Sequence, residues 1–153
     1  MSRKDEKGKR FEFLVSRTDE ALEEGYYIEA IALTYALMEE RTYGLLNRLG
    51  IRYGSRDKIA KCISCLRDSI VQKNISVVVG KMGTDALCDW LNQEFLSSGL
   101  LDDIDAWRKR RNDAIHDLAK GSIQYADMET IAEDGRKYFR EYTAVIMRLK
   151  KLF

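Results

Sequence analysis

The sequence predicts an all-α fold, a single helical bundle of about five to six helices, and three observations carry that prediction. The 153 residues contain no proline, the commonest breaker of helix interiors. Apolar residues recur at three- and four-residue spacing in almost every segment. Most glycines fall between those segments, where helices end. At 45% hydrophobic and 33% charged, the composition is that of a globular chain, long enough for one domain with its own core. A single domain is expected over residues 1–153, with 1–8 as a flexible charged N-terminus.

The first helix is expected from about Lys9 to Glu24, with Phe11, Leu14, Val15, Thr18, Ala21 and Leu22 on one stripe and Gly25 ending it. The second is expected from about Tyr26 to Leu49; its stripe is Ile28, Ile31, Tyr35, Met38, Thr42, Leu45 and Leu49, and Gly50 is its stop. The short connection between the two predicts an antiparallel N-terminal hairpin. After a loop, a third helix from about Asp57 to Gln72 turns Ile59, Cys62, Ile63, Leu66 and Ile70 inward. The β-branched stretch Ile75–Val79 has no second strand to pair with, so it reads as an extended or helical connector packed on the bundle. Thr84 is expected to cap a fourth helix reaching about Leu96, and Asp102 or Asp103 a fifth reaching about Lys120. A sixth runs from about Asp127 to Lys151, with Ile131, Tyr138, Tyr142, Val145 and Leu149 on its inner face.

Charge and cysteine content narrow the function. Lysine and arginine number 26 against 25 acidic residues, a formal charge of +1. That is no general magnet for nucleic acid, so RNA binding would need a local patch. No apolar run is long enough to span a bilayer, and nothing like a signal peptide follows MSRKDEKGKR, so the expected location is cytoplasmic with no membrane partner. Cys62 and Cys65 form a C-x-x-C, but a zinc site takes about four ligands. Only Cys88 and His116 remain, far along the chain, so three reduced cysteines packed as small hydrophobes are expected, with no metal and no cofactor. The pair Glu39 and Glu40 does not call for a metal either.

The fifth helix reads IDAWRKRRNDAIHDLAKG. Its apolar stripe is Ile104, Trp107, Ile115 and Leu118, and Arg111 falls in register with it. A buried guanidinium is costly unless paired, so Arg111 needs a carboxylate or a solvated seam. Glu39, beside the stripe of the second helix, is the expected supporting partner. Asn112 and His116 are four residues apart and share a face. Arg111 and His116 are separated by roughly 140° around the helix. Their side chains converge only if the arginine curls round or two copies of the helix combine. Imidazole gives and takes protons near neutral pH, and guanidinium holds a phosphate by a forked contact. A lone histidine is otherwise an ordinary surface or packed residue. Trp90, Trp107 and the tyrosines read as packing residues rather than base-stacking platforms.

The segment Arg111-Asn112-Asp113-Ala114-Ile115-His116 resembles the signature of the HEPN superfamily, an arginine followed after four to six residues by histidine, often with a polar residue next to the arginine. Its place on the penultimate helix of an all-α chain matches as well. The resemblance implies a homodimer whose motif helices face each other, and metal-independent cutting of RNA, transfer or messenger, through attack by the ribose 2′-OH. In that scheme His116 is general base or acid, Arg111 the phosphate clamp and Asn112 a positioning group. Arg108, Lys109 and Arg110 would supply the RNA patch. The implied setting is toxin or phage-defence biology with a possible antitoxin protein as partner. Some family members carry a tyrosine two residues after the histidine, which a nucleotidyltransferase modifies; here that position is Leu118, which puts such control in doubt. The alternatives are a non-catalytic HEPN-like interaction module, such as a partner of a nucleotidyltransferase, and a regulator that binds RNA without cutting it.

Overall fold

The computed structural model describes residues 2–77, 79–80 and 82–153; Met1, Val78 and Lys81, within or beside the segments 1–8 and 75–79 discussed above, lie outside them. The fold is all-α, as predicted, with six α-helices among the described residues. They are α1 (Arg3–Glu23), α2 (Tyr27–Leu49), α3 (Ile59–Val71), α4 (Thr84–Leu91), α5 (Leu100–Lys120) and α6 (Met128–Lys150). A π-helical turn, Asn92–Ser97, continues α4, and a 3-10 turn, Tyr125–Asp127, leads into α6. No helix among the described residues is long and apolar enough to cross a membrane. The chain divides into two compact units, Met1–Met38 with Ala106–Phe139 and Glu39–Asp105 with Arg140–Phe153. The helices α2, α5 and α6 each contribute a stretch to both.

The second unit is built on aliphatic side chains. Leu45, Leu46 and Leu49 of α2 are buried, as are Ile59, Cys62, Ile63, Leu66 and Ile70 of α3 in the predicted register. Leu87, Leu91 and Phe95 follow from α4 and its π-helical continuation, and Leu101 and Ile104 from α5. Tyr142 of α6 is fully buried, shares a hydrogen bond of 2.8 Å with the Thr42 hydroxyl and takes the edge of Phe95 at 6.2 Å. Burial holds its phenol well above the ordinary tyrosine range. Burial also pushes the Cys62 thiol up to about 11, and Cys88 is likewise buried with a raised thiol pKa. In the connector after α3, Ile75 and Val79 are buried, and Met82 N–H donates to the Val79 carbonyl at 2.8 Å.

In the first unit, α1 begins at Arg3, six residues before Lys9, so the segment expected to be flexible is helical from Arg3 on. The local cause is a cap: Ser2 Oγ accepts from the Asp5 N–H at 3.2 Å and donates to the Asp5 carboxylate at 2.6 Å. The hairpin turns at Gly25, whose φ of 83° is left-handed, and Tyr26 N–H closes onto the Ala21 carbonyl at 2.8 Å. Tyr125 clasps this turn to the one before α6. Its hydroxyl accepts from Tyr27 N–H at 2.7 Å and donates to the Gly25 carbonyl at 2.9 Å, with the two tyrosine rings stacked at 5.5 Å. Asp19 of α1 pairs with Arg136 of α6 through two contacts, Nη2 to Oδ2 at 3.1 Å being one, and Phe11 meets Phe139 at 6.0 Å.

Three residues expected inside are not. Leu14, Ile28 and Ile115 are 36%, 45% and 39% exposed. Each lies at the margin of its stripe, and the centre is taken by smaller neighbours, Thr18 and Ala21 on α1, Ala30 and Thr34 on α2, and Ala114 on α5. Small residues let helix axes come close, which swings the marginal large residues outward. The fourth helix is capped at Gly83 rather than Thr84, and α5 starts at Leu100, ahead of the two aspartates expected to cap it. Asp102 instead pairs with Arg67 at 2.6 Å.

Candidate functional site

The motif half of α5 lies in the first unit, and Trp107 sets its position. The indole is buried and its N–H donates to the Ile131 carbonyl of α6 at 2.8 Å. It lies against the backbone of α6 at Gly135, where an added Cβ would run into the ring. This contact is absent from any stripe of apolar residues. Its sequence signal is a glycine in mid-helix, where alanine would be the better helix former by about 1 kcal/mol.

One turn beyond Trp107, the half-buried Arg111 faces α2. Its guanidinium carbon lies 4.1 Å from the ring centroid of Tyr35, a cation–π stack. Its Nη1 donates to Asn112 Oδ1 at 2.7 Å. The partners the structure gives Arg111 are therefore Tyr35 and Asn112, where the sequence pointed to Glu39. Glu39 falls in the second unit, near the Tyr43 hydroxyl, and its Oε2 is buried without a hydrogen bond. A neutral aromatic face meets the guanidinium without a second buried charge, which is why pairing did not need a carboxylate. Arg111 Nε remains buried with no hydrogen-bond partner. An unmet donor of this kind costs about 1–3 kcal/mol.

Asn112 and His116 are both exposed on one face of α5, one turn apart. Asn112 lies between Arg111 and His116 around the helix, so its bond to Nη1 draws one end of the guanidinium toward the histidine side.

The basic run is not uniform. Arg110 is engaged by Asp134 of α6 at 2.6 Å. Lys109 is exposed and Arg108 half-buried. Lys109 and Arg110 also border an open groove with Ala114, Asp117, Ile123 and Ile131, on a flank of α5 that Arg111, Asn112 and His116 do not line. Among the described residues no group of three or more histidine, cysteine or acidic side chains is arranged to hold a metal ion. No family model, curated protein or solved structure matches the chain.

Proposed function

We propose that the chain is a metal-independent endoribonuclease of HEPN type, acting in the cytoplasm as a homodimer in toxin or phage-defence biology. The observation that carries this reading is the Arg111–Asn112 hydrogen bond, made by a guanidinium stacked on Tyr35 and directed toward the exposed face that holds His116.

The chemistry follows from these groups. The ribose 2′-oxygen attacks the adjacent phosphorus and loses its proton to a base. The P–O5′ bond breaks, and the leaving 5′-oxygen takes a proton from an acid. The products are a 2′,3′-cyclic phosphate and a 5′-hydroxyl. His116 suits either proton transfer. The free donors of Arg111 suit the phosphoryl oxygens on which charge grows. Asn112, already on Arg111, orients it. The chain has one histidine, so separate base and acid imidazoles require two copies. A second copy opposite the exposed face of α5 would also supply the wall that one chain leaves open to solvent. Arg108, Lys109 and Arg110 are the candidate phosphate contacts from the basic run, Arg110 being paired with Asp134.

The test is RNA cleavage in excess EDTA. Wild type cuts, and His116→Ala loses at least a hundredfold in rate, in line with the loss of one acid–base group, while helical circular dichroism and the dimer persist. Intact RNA with folded wild type, or unchanged cutting by His116→Ala, defeats the reading. A second reading, a non-catalytic interaction module, draws on the half-buried setting of Arg111: its stack on Tyr35 ties α5 to α2 whether or not substrate is present. Under that reading Arg111→Ala lowers stability and wild type leaves RNA whole.

A further inference from the structure

The segment expected to be a loose tail is the exposed first half of α1, and its charges are ordered. Every residue from Arg3 to Arg10 is exposed. These eight positions hold five cations, Arg3, Lys4, Lys7, Lys9 and Arg10, against two acids, Asp5 and Glu6. At 100° per residue, Arg3, Lys7 and Arg10 fall on one row, which Leu14 and Arg17 continue, with Lys4 beside it. Asp5, Glu12, Asp19, Glu20 and Glu23 lie on the other side, while Glu6 borders the row about 40° from Arg10. Arg17 is already drawn to Glu29 at 3.3 Å and Glu20 at 3.6 Å, whereas Arg3, Lys4, Lys7 and Arg10 make no ion pair among the described residues.

A second observation concerns the dipole of α1. Cations are unfavourable at a helix N-terminus and favourable at its C-terminus. The first two turns of α1 carry the cation row, and its last turn has no basic residue. The first turn also holds Asp5 and Glu6, Asp5 within the Ser2 cap, so that turn is close to neutral and the excess positive charge of the segment lies with Lys7, Lys9 and Arg10. The steps of the row rise about 4.5–6 Å along the axis, so a chain of phosphates can meet several cations at once.

We infer that this basic row of α1, Arg3, Lys4, Lys7 and Arg10, is a binding surface for the phosphate backbone of single-stranded RNA. The exposed Phe13 ring, 67% accessible one turn further on, offers a face for a base. RNA is favoured over an anionic bilayer because Arg3–Arg10 contains no large apolar side chain to enter a membrane. The inference shares its ligand class with the proposed nuclease but does not depend on cleavage. It relocates the main RNA contact away from Arg110, whose charge Asp134 engages.

The experiment uses the full chain carrying His116→Ala, so that binding is read without cutting. A fluorescein-labelled single-stranded RNA of mixed sequence is titrated by anisotropy at several salt concentrations. The triple reversal Arg3→Glu/Lys7→Glu/Arg10→Glu is compared with a charge-matched control of exposed residues in the second unit, Arg56→Glu/Lys58→Glu/Lys61→Glu. The reversed residues favour the dipole of α1, so the helix should survive, and a neutral Arg3→Gln/Lys7→Gln/Arg10→Gln triple guards against misfolding. The α1 variants are expected to lose roughly tenfold or more in affinity, and the slope of log affinity against log salt to fall by about 2, as for three lost contacts to a single strand. The control should keep affinity within about threefold. Equal losses in control and α1 variants, unchanged binding by the α1 variants, or no RNA binding by the starting protein overturns the inference. So does α1-dependent binding to phosphatidylserine vesicles with RNA affinity unchanged. Cleavage lost through His116→Ala with binding retained, against binding lost through α1, keeps this inference and the nuclease separable.

Discussion

Leu45, Leu46, Leu49, Leu66, Leu87 and Leu91 fill the second unit with long aliphatic side chains at full burial, whereas the first unit buries Thr18, Ala21, Ala30, Thr34, Ala114 and Ala132 beside Ile31, Leu37, Met38, Trp107, Met128, Ile131 and Phe139. Directional contacts occur in both units; in the first they are the Trp107 indole on Gly135, the Tyr125 clasp, Asp19 with Arg136, and Arg111 on Tyr35. The first unit also leaves more apolar surface in solvent, with Phe13, Tyr26, Ile28 and Ile115 exposed. Aliphatic burial supplies stability without direction, while stacks and ion pairs fix where particular side chains point. The motif face therefore belongs to the unit with the thinner core, where local opening is cheaper.

The comparison can be broken by substitution. Leu66→Ala in α3 removes a fully buried side chain and should destabilise by about 2–5 kcal/mol in urea denaturation. Gly135→Ala drives a methyl into the Trp107 ring and should cost about 1–3 kcal/mol. A neutral result there would mean that the indole does not fix α5 on α6. Tyr125→Phe deletes both hydroxyl bonds of the clasp; about 1 kcal/mol is expected, with faster amide exchange concentrated at Tyr27 and its neighbours. Equal acceleration in α3 would show that the units do not open separately. His116→Ala, at an exposed position, should change stability by less than about 0.5 kcal/mol.

Much of the fold was legible because helical spacing reports burial directly, as in α3, where all five predicted inward residues are buried. Spacing failed at stripe margins. It cannot tell whether Ile115 or Ala114 faces the core, because close helix packing selects the smaller side chain. The helical start of the chain had a signal in Ser2 and Asp5, three apart, but the dense charge around them masked it. At the site, the inward register of Arg111 and the shared face of Asn112 and His116 were legible from the helix period. The Tyr35 stack and the Arg111–Asn112 bond were not, since both depend on how a long side chain bends and what a neighbouring helix offers. Gly135 escaped because its role lies in a missing side chain.

The end chemistry of RNA fragments made by the purified protein in EDTA tests the central claim most directly. Wild type is expected to leave 2′,3′-cyclic phosphate and 5′-hydroxyl ends, and Arg111→Ala and His116→Ala none. Fragments bearing 5′-phosphate and 3′-hydroxyl ends, or cyclic phosphate ends that persist in either variant, would contradict it.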